Sequence, residues 1–241
     1  MSKLKSQGMR VARRTAPLEP KLERPLRAYA TAATAAGVGL LALTCPAGAK
    51  IIYIHANEKI SPNHAYPLDL NHDGKIDFTF VDSQGASSFG GGWGILTVFP
   101  NRSANEIWGR NASTRGLLRY ASALAPGVRV GPKGQLLPGE RIMLQTWLNQ
   151  GDRPAFSTYC YGPWKQATNR YLGLKFMIQG KTHYGWARLN ASCSYLIVTA
   201  TLTGYAYETI PNKSIITGDT KGPDVITVEP ATLGRLALGR K

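Results

Sequence analysis

The sequence lacks the residue spacings that mark the common catalytic sites and metal sites. It has three cysteines and four histidines, but no C-x-x-C pair and no H-E-x-x-H motif, so zinc and thioredoxin-like chemistry have no support. A nucleophile elbow, G-x-S-x-G, is also missing. The glycine-rich segment 90–94 lacks the Lys and the Ser or Thr of a phosphate-binding loop. These absences make an enzyme the less favoured class without excluding it.

Acidic residues are scarce, since 14 Asp and Glu stand against 29 Lys and Arg, a formal net charge of +15. Residues 1–49 hold eight of the basic residues and two of the acidic ones, which leaves a net charge of about +9 on the remainder. A nucleic-acid-binding domain gathers such charge into one stripe. Here the basic residues are spread singly, which predicts a soluble basic surface and no nucleic-acid partner. Attraction to an anionic surface polymer or headgroup is the open alternative.

The N-terminal segment has the three parts of a secretory signal. Residues 1–27 are basic, and residues 28–43 are uncharged and rich in Ala, Gly and Leu. Ala47-Gly48-Ala49 then fits a small-x-small cleavage site. We therefore predict a signal peptide at 1–49, cut before Lys50, and a mature protein that is secreted or displayed at the cell surface.

Two other fates of this segment stay open. It could remain as an anchor, the one route by which we expect a membrane contact, although its apolar run is short against the ~20 residues of a span. It could also be cut before Cys45 as a lipoprotein, although Thr44 is larger than the residue which that site prefers.

Two cysteines remain after the predicted leader, Cys160 and Cys193. An even pair in an exported domain predicts one disulfide. It would close a loop of about 33 residues and stabilise the fold by ~3 kcal/mol in the chain-entropy model. The alternative is two buried free thiols.

The sequence after the leader shows apolar residues at period two, the pattern of half-buried strands. Residues 196–203 are the clearest case, with one apolar face and one face rich in threonine. Gly180-Lys181 predicts a hairpin turn, and Thr114–Ala123 a short helix. The predicted strands are Ile51–His55, Ile76–Val81, Gly94–Phe99, Ile142–Leu148, Tyr171–Ile178, His183–Leu189 and Leu196–Thr203.

Closely spaced strands without a βαβ alternation predict an all-β fold, an antiparallel, jelly-roll-like β-sandwich. We place this domain at residues 50–217. Residues 218–241 form a tail that Gly222-Pro223 and Glu229-Pro230 interrupt, and we expect it to be loosely ordered.

One motif carries metal chemistry, the segment D-x-N-x-D-G-x-I-D at residues 69–77. Calcium takes about six to eight oxygen ligands, and oxygens at positions 1, 3 and 5 converge when the chain curls. Gly74 at position 6 permits the sharp turn, and position 7 supplies a backbone carbonyl. The predicted ligands of a structural Ca²⁺ are Asp69, Asn71, Asp73, the carbonyl of Lys75, and Asp77.

The segment departs from an EF-hand at position 12, where Phe80 replaces the bidentate acid. A strand pattern follows it, so the loop resembles the calcium-loop hairpins of integrin-type FG-GAP repeats. We expect modest affinity, with Asp82 as a further possible ligand. The alternative is a plain turn in which Asn71 and Asp73 cap their own backbone.

The aromatic residues and the acids leave two further kinds of site open, a sugar-binding surface and a catalytic carboxylate. Tyr159, Tyr161 and Trp164 flank Cys160, and such aromatics either fill a core or stack on sugars. Glu208 ends a predicted strand, where the rim of a sandwich can hold a catalytic carboxylate. No second carboxylate is marked by spacing.

Two stretches near the C-terminus carry a family resemblance. Tyr184–Leu189, followed by Gly204–Thr209, resembles the last strands of exported bacterial PEP-CTERM proteins. Glu229–Gly234 resembles their sorting tail, although Val228 replaces the first Pro and Arg235 interrupts the apolar run. The resemblance implies a secreted or surface protein, in the extracellular matrix for example, and assigns no catalytic residue.

The sequence thus predicts a secreted or cell-surface, calcium-stabilised β-sandwich with a binding or structural role. The expected partner is an extracellular polysaccharide or another surface polymer. A secreted carbohydrate-active enzyme that uses Glu208, and a membrane-anchored envelope protein, are the alternatives.

Overall fold

The computed structural model describes residues 51–86, 91–111, 118–149, 157–194 and 197–228. Within these ranges it contains strands, turns and bends but no helix. The strands are β1 (Ile51–Ile60), β2 (His64–Leu68), β3 (Phe78–Ala86), β4 (Gly92–Pro100), β5 (Glu106–Asn111), β6 (Arg119–Ala121), β7 (Arg129–Val130), β8 (Leu136–Leu137), β9 (Arg141–Asn149), β10 (Ser157–Tyr161), β11 (Ala167–Ile178), β12 (Lys181–Ser194), β13 (Ile197–Glu208), β14 (Ile215–Ile216) and β15 (Val225–Val228).

Thirteen of these strands form one curled sheet, a half-barrel. The order is β15-β1-β13-β12-β11-β5-β6-β9-β4-β3-β2, with β10 added on β9 and β8 on β5, while β14 pairs with β7. The pairs β1/β15 and β6/β9 are parallel, so the sheet is mixed rather than purely antiparallel. The prediction of an all-β fold is confirmed, and the jelly-roll-like sandwich stays a prediction.

The curl brings the inner faces of the two halves of the sheet around one core. Phe80 and Leu96 from β3 and β4 belong to the same buried cluster as Leu174 and Leu202 from β11 and β13. The period-two pattern explains this arrangement, because alternate residues of a strand point to one face. Val198, Ala200 and Leu202 are buried on β13, whereas the threonines between them are not.

A strand lies at each of the seven predicted positions, and most run further than predicted. The β11–β12 turn is Gln179-Gly180, one residue before the predicted Gly180-Lys181. Both turn residues have positive φ, 50° and 78°, as the favoured two-residue hairpin turn requires. Lys181 already pairs with Ile178 in the ladder.

The predicted helix at Thr114–Ala123 is wrong for the part that the structure describes. Residues 112–117 lie outside the described ranges, but Arg119–Ala121 is strand β6. Tyr120 pairs with Ile142 of β9, and β6 also pairs with β5. Long-range pairing therefore overrides the helical pattern in this part of the segment.

The predicted tail is also shorter than expected. Val225–Val228 forms β15, which pairs in parallel with the start of β1, so this part of the predicted loose segment is a strand. The pairing places four residues of high β-propensity beside the edge of β1 that does not pair with β13. Residues 229–241, like the predicted signal segment 1–49, lie outside the described ranges.

The predicted disulfide is confirmed. Cys160 of β10 and Cys193 of β12 are bonded, with their Cα atoms 6.3 Å apart. The bond joins a strand of one half of the sheet to a strand of the other half. It therefore ties together parts of the sheet that do not share backbone hydrogen bonds.

Candidate functional site

The predicted calcium loop, residues 69–77, is the connection of a hairpin between β2 and β3. Leu68 pairs with Phe78, and the N–H of Asp77 donates to the Leu68 carbonyl at 2.9 Å, so the ladder closes directly behind the loop. Leu70 is fully buried. The loop is therefore anchored by the backbone hydrogen bond between Asp77 and Leu68 and by the buried side chain of Leu70.

Hydrogen bonds to carboxylates hold the loop curled. The N–H groups of Asp73 and Gly74 donate to the two oxygens of Asp69, at 3.2 and 2.8 Å, and Lys75 donates to Asp73 Oδ1 at 2.9 Å. His72 and Gly74 have φ of 56° and 82°. Gly is the residue that takes this conformation freely, which explains its position in the motif.

Asp77 is the buried acid of the loop, with 2% of its surface exposed. Its Oδ2 accepts a hydrogen bond from the Leu70 N–H at 3.0 Å. Its carbonyl accepts two more, from the Asn101 N–H at 2.9 Å and from Asn105 Nδ2 at 3.0 Å. Asp77 therefore connects the loop to the segment that follows β4.

The surroundings of Asp77 disfavour its ionised form. Burial raises its pKa to about 6, and the negative charges of Asp69 and Asp73 add to that rise. The Leu70 N–H and Arg102 act in the opposite direction but do not cancel it. An added positive charge at this position would stabilise the ionised form.

Two amide oxygens beside this arrangement have no hydrogen-bond donor. They are Oδ1 of Asn71, at position 3 of the loop, and Oδ1 of Asn105, whose Nδ2 holds the Asp77 carbonyl. Both atoms are buried. Buried polar atoms in folded proteins almost always have a partner, so each of these oxygens requires an explanation.

The structure brings Asp69, Asn71, Asp73 and Asp77 into one loop, but not into a finished metal cage. Among the described residues, no three His, Cys, Asp or Glu side chains are grouped so as to hold an ion. The carboxylates of Asp69 and Asp73 accept backbone N–H groups instead. Of the two residues that the plain-turn alternative names, Asp73 caps the backbone, whereas Asn71 Oδ1 has no hydrogen-bond donor. Lys75 contributes its N–H to the same network.

Asp82 is not available as a further ligand. It lies on β3, five residues beyond Asp77, or about 17 Å along a strand. It is fully buried, and Gln84 Nε2 donates to both of its oxygens at 2.9 and 3.1 Å. The expectation that Asp82 completes the site is therefore wrong.

Sequence reasoning missed the contacts that fix the loop from outside. Asn101 and Asn105 hold Asp77, and Tyr205 of β13 is hydrogen-bonded to His72 Nε2 at 2.7 Å. Burial, and then the nearby Tyr66 and Asp69, raise the pKa of Tyr205. These residues are 24 to 133 positions away from their partners, and no local spacing marks them.

Glu208, the predicted rim carboxylate, is buried rather than open to a cleft, with 1% exposed. Its Oε1 accepts a hydrogen bond from the Ile210 N–H at 3.0 Å, and its Oε2 lies 3.4 Å from Lys213 Nζ. Its carbonyl is 2.8 Å from His183 Nδ1. These contacts give Glu208 a structural role at the end of β13.

The aromatic residues divide between the two predicted roles. Trp164 and Trp186 are fully buried in the core, whereas Trp147, Tyr159 and Tyr161 are each about half exposed. The exposed three lie on β9 and β10, which are adjacent strands. The described part of the chain thus has an aromatic surface in addition to an aromatic core.

No family model, curated protein or solved structure matches this chain. Within the described ranges there is also no apolar helix long enough to cross a membrane.

Proposed function

We propose that this chain is an exported β-sheet protein with a binding role, whose Asp69–Asp77 loop takes up one stabilising calcium ion. The observation that carries the calcium part is the donor set of the loop. A buried carboxylate with a raised pKa, Asp77, lies in the same nine residues as two further acids and the unpartnered oxygen of Asn71. An oxygen-binding cation accounts for all of these features together.

The hydrogen bonds inside the loop are compatible with such an ion. An ionised carboxylate has about four lone-pair sites, so the N–H groups on Asp69 and Asp73 leave acceptor capacity free. Asn71 Oδ1 has all of its capacity free. A doubly charged ion would offset the repulsion between the three acids and favour the ionised form of Asp77. Its role is structural, because it would fix the β2–β3 connection.

Three observations support a place outside the cytoplasm. The segment 1–49 has the parts of a secretory signal, and the Cys160–Cys193 disulfide fits an oxidising compartment. The resemblance of Tyr184–Leu189 to strands of PEP-CTERM proteins points in the same direction. We further propose that the two halves of the curled sheet pack as a jelly-roll-like sandwich.

Thermal unfolding of the full chain in calcium and in EGTA tests the metal, with Asp73→Ala as the loop variant. We expect calcium to raise the midpoint of the parent chain and not that of Asp73→Ala. Glu140→Ala is the matched control, because Glu140 is an exposed acid outside the loop. Equal midpoints in calcium and EGTA for the parent chain would show that the loop is only a turn.

Fractionation of cells that express the chain tests export separately. We expect a product that begins at Lys50 outside the cytoplasm. A full-length chain that stays in the cytosol would contradict the proposed location. An intact chain in the membrane fraction would indicate the anchored form.

A further inference from the structure

One face of four neighbouring strands carries two rows of paired residues, called ranks here, and these ranks include the exposed aromatic side chains. In an antiparallel sheet, directly opposed residues point to the same face. Gly85 of β3 is opposite Trp93 of β4, Trp93 is opposite Trp147 of β9, and Trp147 is opposite Tyr159 of β10. Trp93, Trp147 and Tyr159 therefore lie side by side across about 10 Å of sheet, given two strand spacings.

A second rank runs beside the first on the same face. It consists of Ser83, Ile95, Gln145 and Tyr161, again each opposite the next. Tyr161 stacks on Tyr159 of the first rank, with ring centroids 6.0 Å apart and planes 20° apart. The two ranks together are called the aromatic face below.

Gly85 of β3 leaves room for the ring of Trp93, the aromatic residue nearest to β3 in the first rank. A Cβ atom at Gly85 would lie 2.8 Å from two atoms of the Trp93 indole, which is closer than real contacts allow. The indole therefore lies against the backbone of β3.

The aromatic face keeps large apolar surface in contact with water. Trp147 and Tyr159 are each 50% exposed, and Tyr161 is 48% exposed. A polar group stands among the rings, because Gln145 is only partly buried and donates through Nε2 to the Tyr120 hydroxyl at 3.1 Å. Binding sites for small polar ligands combine aromatic walls with a few such positioned groups.

The absence of charged residues from the two ranks indicates what kind of ligand the aromatic face can bind. None of the eight residues in the two ranks is charged, in a chain with a formal net charge of +15. A ligand held by charge, such as an acidic polymer or a phosphate-rich lipid surface, would find no opposite charge among these eight residues. A neutral ligand with both apolar faces and hydroxyl groups fits better.

We infer that the aromatic face binds a neutral polysaccharide. The apolar C–H face of a sugar ring packs on Trp93, Trp147 and Tyr159 as on other flat rings, and its hydroxyl groups at the edge can bond to Gln145. The row of rings runs across the strands, so the polymer lies across β4, β9 and β10. The inference specifies the partner in the proposed binding role but does not depend on calcium.

Affinity electrophoresis of the full chain in acidic native gels tests the inference. The gels contain hydroxyethyl cellulose, dextran or galactomannan as neutral polymers, and alginate as the acidic one. The test variants are Trp147→Ala and Tyr159→Ala. The control is Ile197→Ala, which removes a side chain that is 54% exposed on β13, outside the aromatic face.

We expect at least one neutral polymer to retard the parent chain, and each test variant to bind it roughly tenfold more weakly. The control should bind like the parent, and the result should be the same in EGTA, which separates this test from that of the calcium loop. Unfolding midpoints equal to the parent's would show that the variants are folded.

Three results would overturn the inference. One is that no neutral polymer retards the parent chain. Another is that a neutral polymer retards the parent and both test variants equally, which would mean binding outside the aromatic face. The third is self-association in ultracentrifugation that Trp147→Ala abolishes, because the face would then be an interface between two copies.

Discussion

Asp77→Asn is expected to stabilise the chain without calcium, and calcium should cancel or reverse that advantage. Burial and neighbouring charges raise the pKa of Asp77 from 3.8 to about 6. At 1.36 kcal/mol per pKa unit, ionising this group at pH 7 costs the calcium-free fold about 3 kcal/mol. Asparagine keeps an oxygen for the Leu70 N–H and removes the charge. The variant should therefore unfold about 5–10 °C higher than the parent in EGTA at pH 7.

The pH dependence follows from the same shift. The folded chain holds the Asp77 proton more tightly than the unfolded chain, so this contribution to stability is complete below pH 4 and is lost as the pH rises through 6. The advantage of Asp77→Asn in EGTA should accordingly disappear at pH 4. In calcium at pH 7 the difference in midpoint between the variant and the parent should close or reverse. Only the parent gains binding energy, about 2.7 kcal/mol at a hundredfold excess of calcium over the dissociation constant.

The assay is thermal unfolding by circular dichroism from pH 4 to pH 7, in EGTA and in calcium. Glu140→Gln is the control, since Glu140 is exposed and far along the sequence from the loop. If Asp77→Asn is less stable than the parent in EGTA at pH 7, and the difference does not vary with pH, the raised pKa and the argument built on it are incorrect.

Three further outcomes are expected. Cys193→Ser should lower the free energy of unfolding by about 3 kcal/mol, and dithiothreitol should destabilise the parent but not the variant; no effect of reductant would mean that the bond is not formed. Glu208→Ala should lower the free energy of unfolding by about 1–3 kcal/mol in chemical denaturation, because the Ile210 N–H and Lys213 lose their partner. Lys213→Ala should lower it by less than about 1 kcal/mol, since Lys213 is 43% exposed, and equal losses would contradict this. Gly85→Ala should displace the Trp93 ring and change tryptophan fluorescence, with an unchanged spectrum as the contrary result.

The all-β class and most strands could be predicted because they depend on local patterns. In 196–203, alternate residues are apolar, and the structure buries Val198, Ala200 and Leu202 as that pattern requires. The disulfide followed from the even pair of cysteines that remains after the predicted leader. Neither inference needs to know which strand lies beside which.

The features that were missed depend on distant pairing. β15 is a strand because it finds the edge of β1, and Arg119–Ala121 is a strand because β5 and β9 lie on either side of it. The partner of β15 is the first strand of the described chain, and although β5 lies close to β6 in sequence, β9 lies beyond β7 and β8.

The same limit applies to the loop. The motif placed Asp69 and Asp77 in one turn, but it did not show that Asp77 is buried. That burial, and the contact with Asn105, arise from the segment after β4. The aromatic face likewise depends on the register of Trp93, Trp147 and Tyr159 across three strands.

Equilibrium dialysis of the chelator-treated full chain against radioactive calcium tests the central claim most directly. We predict one calcium ion per chain, with a dissociation constant at or below ~10⁻³ M, as in extracellular calcium modules. Asp69→Ala and Asp73→Ala should abolish this binding, and Glu140→Ala should leave it unchanged. If the parent chain retains no calcium at millimolar concentration, or if the loop variants bind it as well as the parent does, the loop is not a calcium site.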